Sequence, residues 1–242
     1  MRLDDIKKLH QKKYRNELGY FLVEGEHLIL ELEKAAKANP LLRAATLYAS
    51  ESYGVVQTDF ELMRVSDKKM QQIADTKSPQ GIVAVVPISA VLTPPQNGSN
   101  ERTIYLHEIQ DPGNLGTILR TLAWFGGFNC VLSPNSVDPY NPKVVRASMG
   151  AIFNVPIEVD VSLSTLQTRF DRFACLDIEG LPLSSPQFTD HRCFVFGNEA
   201  RGVPHEQLAS LAVESFSIHG NGVLESLNLA AAVNMCAYEL NR

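Results

Sequence analysis

Apolar positions change their period several times along the chain, and each change marks an element. Leu28, Ile29, Leu32, Ala35 and Ala36 recur at the spacing of one helix face, which predicts a helix over Glu26–Ala38. "YFLVEG" before it and "GIVAVV" well after it are short β-branched and aromatic runs that read as strands. Across residues 87–101 Pro, Gly, Asn and Ser replace any periodicity. Beyond that break, "TIYLHEI", "GFNCVL", "RFACLDI", "CFVFG" and "VESFSI" are strand-like runs separated by helical stretches. Such alternation predicts a mostly parallel sheet covered on both faces. The last stretch, residues 227–240, has the composition of a buried helix, yet it is entered through Glu225, Ser226, Leu227 and Asn228.

These patterns predict a small α/β domain over residues 1–86, a linker over 87–102 and a parallel-sheet α/β domain over 103–242. At 242 residues, 45% hydrophobic and 20% charged, the chain is long enough for one or two proper cores. No apolar run approaches the roughly 18 residues of a membrane span. The first 20 residues carry charge where a secretory signal carries an apolar core, so a cytoplasmic protein is expected. Cys130, Cys175, Cys193 and Cys236 lie far apart, with no CxxC pair and no His at ligand spacing, so no metal and no disulfide framework is expected. The net charge of −5 argues against indiscriminate coating of nucleic acid. Residues 1–20 nevertheless hold six Arg or Lys against three carboxylates, a balance of +3 that suits either phosphates or a solvated helix face.

In open parallel sheets, ligands gather at the carboxyl ends of strands. Three loops there combine glycine with Asn, Glu, Ser or Arg: "QDPGNLGTILRTLAWFGG", "NEARGVP" and "HGNGVLESLN". Glycine lets main-chain groups approach a ligand, although Gly-Asn and Gly-Glu are also ordinary turn chemistry. "DPGNLG" is spaced GxxG rather than GxGxxG, no GxxxxGK[ST] occurs, and no hydrolase elbow is present, which argues against dinucleotide, ATP or GTP sites and a serine nucleophile.

"DPGNLGTILRTLAWFG", "FVFGNEARGVP" and "SIHGNGVLESLNLAAAVNM" resemble, in order, the three motifs of the SpoU/TrmH family of RNA ribose 2′-O-methyltransferases, within the knotted SPOUT class. "KKYR…FLVEG" and "MQQIADTKSPQGIVAVV" resemble that family's RNA-binding amino-terminal domain, so the likeness spans essentially the whole chain. It implies S-adenosylmethionine as cofactor, an RNA substrate, ribosomal rather than transfer RNA, and a homodimer. It also implies a terminal helix threaded into a deep trefoil knot, which general topology rules would exclude.

Carried over position by position, the resemblance implies that Asn114, Arg120, Glu199, Ser226 and Asn228 act on substrate or loop geometry. It places Gly197, Asn198, Ile218, Asn221, Gly222 and Leu227 around the cofactor, where main-chain groups hold the adenosyl part. Plain core packing is the competing reading for Ile218 and Leu227. On the predicted helix Ile118, Leu119, Leu122 and Ala123 form the apolar stripe, which turns Arg120 to another face. A guanidinium with a pKa above about 12 is a poor base, so Arg120 is expected to bind an RNA phosphate and acidify the hydroxyl. His219 stands where the family commonly has Pro, and Ala200 where it commonly has Gly. Three readings remain: an RNA 2′-O-methyltransferase, an RNA-binding member without catalysis, and an α/β enzyme on a small molecule. The complete Asn and Arg set favours the first over the second, and the amino-terminal module favours it over the third.

Overall fold

The computed structural model describes residues 1–91 and 101–242; most of the expected linker, residues 92–100, lies outside them. In chain order the helices are α1 (Leu3–Lys8), α2 (Lys12–Leu18), α3 (Glu26–Ala38), α4 (Asp67–Ile73), α5 (Pro112–Phe125), α6 (Pro142–Ser148), α7 (Leu163–Gln167), α8 (His205–Leu208) and α9 (Leu229–Leu240). The strands are β1 (Tyr20–Glu24), β2 (Thr46–Ser50), β3 (Glu61–Val65), β4 (Ile82–Pro87), β5 (Arg102–Leu106), β6 (Phe128–Leu132), β7 (Ile157–Glu158), β8 (Phe173–Pro182), β9 (Cys193–Phe196) and β10 (Val213–Ser217). Two compact units result, Met1–Thr93 with Asp138–Asn154, and Pro94–Val137 with Val155–Arg242.

The first unit is a four-stranded sheet in the order β1-β4-β2-β3. β4 runs antiparallel to β1 and β2, and β2 parallel to β3. α3 buries Leu28, Ile29, Leu32, Ala35 and Ala36, the stripe its period predicted. Ile6, Leu9, Met70 and Ile73 from α1, its end and α4 pack with Leu22, Tyr48, Val83 and Val85 of the sheet.

The segment Asp138–Asn154 belongs to this unit, whereas the sequence reading kept it in one continuous domain over 103–242. Its contacts explain why. Arg15 donates to Asp138 from Nε at 2.8 Å and Nη2 at 2.5 Å, and from Nη1 to the Leu9 carbonyl at 2.7 Å. The rings of Phe21 and Tyr140 lie 5.0 Å apart, and Arg146 meets Asp75 at 2.6 Å. Gly150, at φ +91°, lies so close to Glu31 that a Cβ there would stand 2.5 Å from the Glu31 Cβ.

The second unit is a six-stranded parallel sheet in the order β10-β8-β9-β5-β6-β7. From β5 the chain proceeds outward through β6 and β7, then crosses to the other side for β8, β9 and β10. The order therefore reverses between β5 and β9, and a crevice forms beyond the carboxyl ends of strands at such a point. α9 packs on α5, and Thr121 of α5 hydrogen-bonds Asn234 of α9. The four cysteines are buried and unbridged, and burial raises the thiol pKa values, to about 12 for Cys130 and Cys175.

Two sequence expectations for α9 and α5 need correction. α9 is apolar in composition but not buried all round: Met235 and Tyr238 are exposed, and Leu227 precedes the helix with 47% of its surface open. On α5, Leu115, Ile118, Leu119 and Leu122 face the core, while Ala123 is exposed and Trp124 is 85% exposed. Among the described residues no helix is long and apolar enough to cross a membrane, and no cluster of His, Cys, Asp or Glu could hold a metal.

Candidate active site

The first two glycine-bearing loops emerge where the strand order reverses, after β5 and β9; the third follows the edge strand β10. α5 begins with Asp111 as its N-cap, whose carboxylate accepts the Asn114 N–H at 2.7 Å, and with Pro112 at its first turn. That pairing places acceptor and proline where a helix start wants them. Glu199, from the loop after β9, adds a second carboxylate at the same helix end. It accepts the main-chain N–H of Gln110 and of Asp111, and the Asn114 side-chain amide, each at 3.3 Å. Free N–H groups and the helix dipole both favour an anion there.

From Asn114 the network continues into the third loop. Asn228 donates its amide to Asn114 Oδ1 at 2.9 Å and, through its own Oδ1, caps α9 by accepting the Ala231 N–H at 3.2 Å. Glu199, Asn114 and Asn228, one from each motif, thus form a single hydrogen-bonded chain. Arg120 lies further along α5, exposed and with no carboxylate within ion-pair distance among the described residues. Ser226 is exposed in the third loop and has no hydrogen bond to the other described residues.

The loop after β9 is shaped by Asn198. Its Oδ1 accepts the N–H groups of Ala200 and Arg201 at 2.9 and 3.0 Å, its Nδ2 donates to the Glu108 carbonyl at 2.7 Å, and its main chain pairs with Gly202 in both directions at 2.9 Å. The Asn198 side chain is therefore engaged by the loop itself. Gly197 is needed for a related reason: a Cβ there would overlap the Gly202 carbonyl and the Val203 nitrogen. Left-handed backbone outside glycine occurs at Glu108, Asn135, Met149 and Asp160. Ala200 and His219 are not among these positions, so neither substitution away from the family pattern meets backbone strain.

An adenosyl group fits the third loop by one structural test. Between Ile218 and Leu227, a single main-chain donor, the Val223 N–H, is bonded among the described residues, to Asn221 Oδ1 at 3.2 Å. The remaining main-chain donors there have no partner among the described residues, half-buried Ile218 and exposed Val223, Leu224 and Leu227 supply apolar surface, and Gly222 makes a left-handed turn at φ +78°. Neutral apolar walls suit a sulfonium donor that becomes an uncharged thioether on losing its methyl.

Sequence reasoning missed Glu108, Arg201 and Gln110. Glu108 is left-handed and ion-paired to Arg201, and Gln110 Nε2 donates to the carbonyls of Glu108 at 3.0 Å and Asn135 at 2.8 Å. Asp111 was missed as well, although Asp before Pro is a helix-start signature that could have found it. Next to Glu108, burial lowers the His107 pKa, and the neighbouring Arg201 charge acts in the same direction against Glu108.

The family described as SpoU rRNA Methylase matches residues 101–238, and one described as MRM3-like substrate binding domain matches residues 2–84. The Bacillus subtilis 23S rRNA (guanosine(2553)-2′-O)-methyltransferase RlmP is 28% identical, aligned over 99% of this chain and 95% of its own. A TrmH-family protein of Porphyromonas gingivalis superposes with a TM-score of 0.79 at 28% identity, over 99% of this chain and 96% of the other. The AdoMet-bound rRNA methyltransferase of Sinorhizobium meliloti has the same fold, with a TM-score of 0.79 at 24% identity, over 98% and 93%.

Proposed function

The chain belongs to the SpoU rRNA methylase family, and from that premise we propose that it transfers a methyl group from S-adenosylmethionine to a ribose 2′-hydroxyl of ribosomal RNA. The observation that carries this reading is the hydrogen-bonded chain Glu199–Asn114–Asn228, which joins all three motifs. Ribosomal RNA is favoured over transfer RNA because the relative named for 23S rRNA aligns over both units of this chain. Lys12 and Lys13, exposed on α2 and without carboxylate partners among the described residues, give the first unit cations for phosphate.

Methyl transfer requires alignment of oxygen, methyl carbon and sulfur, and help in removing the hydroxyl proton. S-adenosylmethionine would supply the electrophilic methyl group; the main chain of residues 218–227, with Gly197 and the Asn198-shaped loop, would hold its adenosyl part. Arg120 binds a phosphate of the substrate and stabilises the developing alkoxide electrostatically, while that phosphate or water takes the hydroxyl proton, since a guanidinium does not accept it. Asn114, Glu199, Ser226 and Asn228 orient the substrate and keep the loops in register.

The reading extends to a cytoplasmic homodimer, with α9 passed through an earlier loop as a trefoil knot. Trp124 of α5 and Met235 and Tyr238 of α9 leave an apolar face uncovered, and a second copy would bury it. Light scattering should give twice 26.8 kDa; a monomer with full activity removes the dimer. Incubation with labelled S-adenosylmethionine and separated RNA pools tests the reaction. Label should enter large ribosomal RNA as nuclease-resistant 2′-O-methyl sites. Label confined to transfer RNA overturns the substrate, and label in no RNA overturns the reaction.

A further inference from the structure

We propose that Glu108 and Arg201 form a positioning clamp for the reaction, holding the Glu199 loop against the start of α5. Glu108 is left-handed, at φ +50°, a conformation that suits glycine and to a lesser degree Asn or Asp, but not Glu. Its main chain is fully engaged: its N–H donates to Ser133 Oγ at 2.6 Å, and its carbonyl accepts the amides of Asn198 at 2.7 Å and Gln110 at 3.0 Å. Residue 108 therefore links the loops that follow β5, β6 and β9. A glycine would make the same three bonds with less strain. What glutamate adds is its carboxylate, and that carboxylate is ion-paired to Arg201. Strained residues persist where the surrounding structure over-determines them, commonly at functional sites.

Arg201 lies two residues beyond Glu199, on the turn closed by Asn198 and Gly202. Among the described residues, the Glu199 side chain is held only by three long bonds of 3.3 Å, near the upper end of useful hydrogen-bond geometry. The second anchor at Arg201 stops that turn from lifting away. It keeps Glu199 on the Gln110 and Asp111 amides and Asn114 in reach of Asn228.

This inference rests on the methyltransferase reading for its catalytic consequence but not for its structural one. The informative variant is Glu108→Gly, which keeps the backbone conformation, removes the strain and deletes the clamp. Melting temperature should hold or rise. The Gln110 and Asp111 amides should exchange with solvent at least 5-fold faster by NMR, and single-turnover methyl transfer to a 23S ribosomal RNA transcript should fall about 10-fold. Arg201→Ala should match it, Arg201→Lys should recover part of the rate, and the double variant should be no slower than either single one. Unchanged amide exchange in Glu108→Gly overturns the clamp whatever the catalytic rate. Faster exchange with wild-type transfer, or losses that multiply in the double variant, overturns its role in the reaction. A wild-type enzyme that transfers no methyl group sinks the functional reading, and amide exchange then decides the clamp alone.

Discussion

Two polar linkages between residues far apart in the chain, one in each unit, differ in burial, charge and bond length. In the first unit Arg15 and Asp138 are 123 positions apart, 2% and 8% exposed, and joined by short charged bonds with the remaining guanidinium donor on a carbonyl. In the second, Asn228, Asn114 and Glu199 span 114 and 85 positions through neutral or long bonds, with Glu199 and Asn228 open to solvent. Burial makes the first linkage architectural, because neither ion can be left alone in a low dielectric. Exposure makes the second exchangeable: water can replace each bond, so a substrate hydroxyl or phosphate can too. The contrast separates residues that hold the fold from residues kept ready for a ligand.

The sharpest way to break that contrast is at Arg15. Arg15→Ala leaves the buried Asp138 charge uncompensated, with only the Tyr140 N–H at 2.9 Å still bonded to it among the described residues, and should cost about 3–5 kcal/mol in chemical denaturation. Arg15→Met combined with Asp138→Leu should recover most of it. Asn114→Ala should lower stability by no more than about 1 kcal/mol while abolishing most methyl transfer. Equal stability losses at Arg15 and Asn114 would erase the distinction.

Arg120 comes next, as an exposed cation without a carboxylate partner among the described residues. Arg120→Ala should leave S-adenosylmethionine affinity nearly unchanged and lower methyl transfer by about 10²-fold or more, the scale of a lost electrostatic donor. Arg120→Lys should rescue poorly, because ammonium keeps charge but not the planar two-pronged contact. Wild-type single-turnover rates in the alanine variant would make Arg120 a solvated helix residue.

Gly197 tests how the second loop is built. An added Cβ would overlap the main chain of Gly202 and Val203, so Gly197→Ala should distort the turn and weaken cofactor binding roughly 10-fold, about 1.4 kcal/mol by the usual conversion. Gly197→Val should also lose stability. A loop unchanged in structure and affinity would mean the backbone has room that the geometry denies. Close packing of Gly202 and Val203 on Gly197 gives the glycine a reason within the loop, beside the expected approach to adenosine.

These cases show what sequence can carry. The five apolar positions of α3 were legible because their determinants are local in the chain, and the Asp-Pro start of α5, equally local, was open to the same reading without being taken. β2 and β3 were not read: β3 is an edge strand, mostly exposed, without the alternation that marks a half-buried strand. The place of Asp138–Asn154 depends on Arg15, and no local pattern announces a partner 123 positions away. Likewise the motif residues could be located, but the Glu108–Arg201 pair could not, since a left-handed glutamate has no sequence signature. The exposed side of α9 escaped notice because composition does not distinguish core from a face awaiting a partner.

His107 offers the smallest effect and the finest test of the second unit's electrostatics. Its Nδ1 is buried without a hydrogen bond, and its pKa is lowered, first by burial and then by Arg201, against an opposing pull from Glu108. The folded state therefore binds fewer protons than the unfolded chain between the lowered pKa and the ordinary value of 6.5. Since stability rises with pH wherever the unfolded state holds more protons, the contribution is fully present above 6.5 and declines as pH falls through that window. The expected slope is a fraction of a proton, visible as a gentle fall in denaturation midpoint below neutrality. His107→Gln should flatten it. Removing Arg201 should also shrink it, because a cation that disfavours the imidazolium is gone, whereas Glu108→Gly should steepen it by taking away the neighbouring anion. An unchanged slope in all three variants would assign the pH dependence to other groups and detach His107 from the Glu108–Arg201 pair.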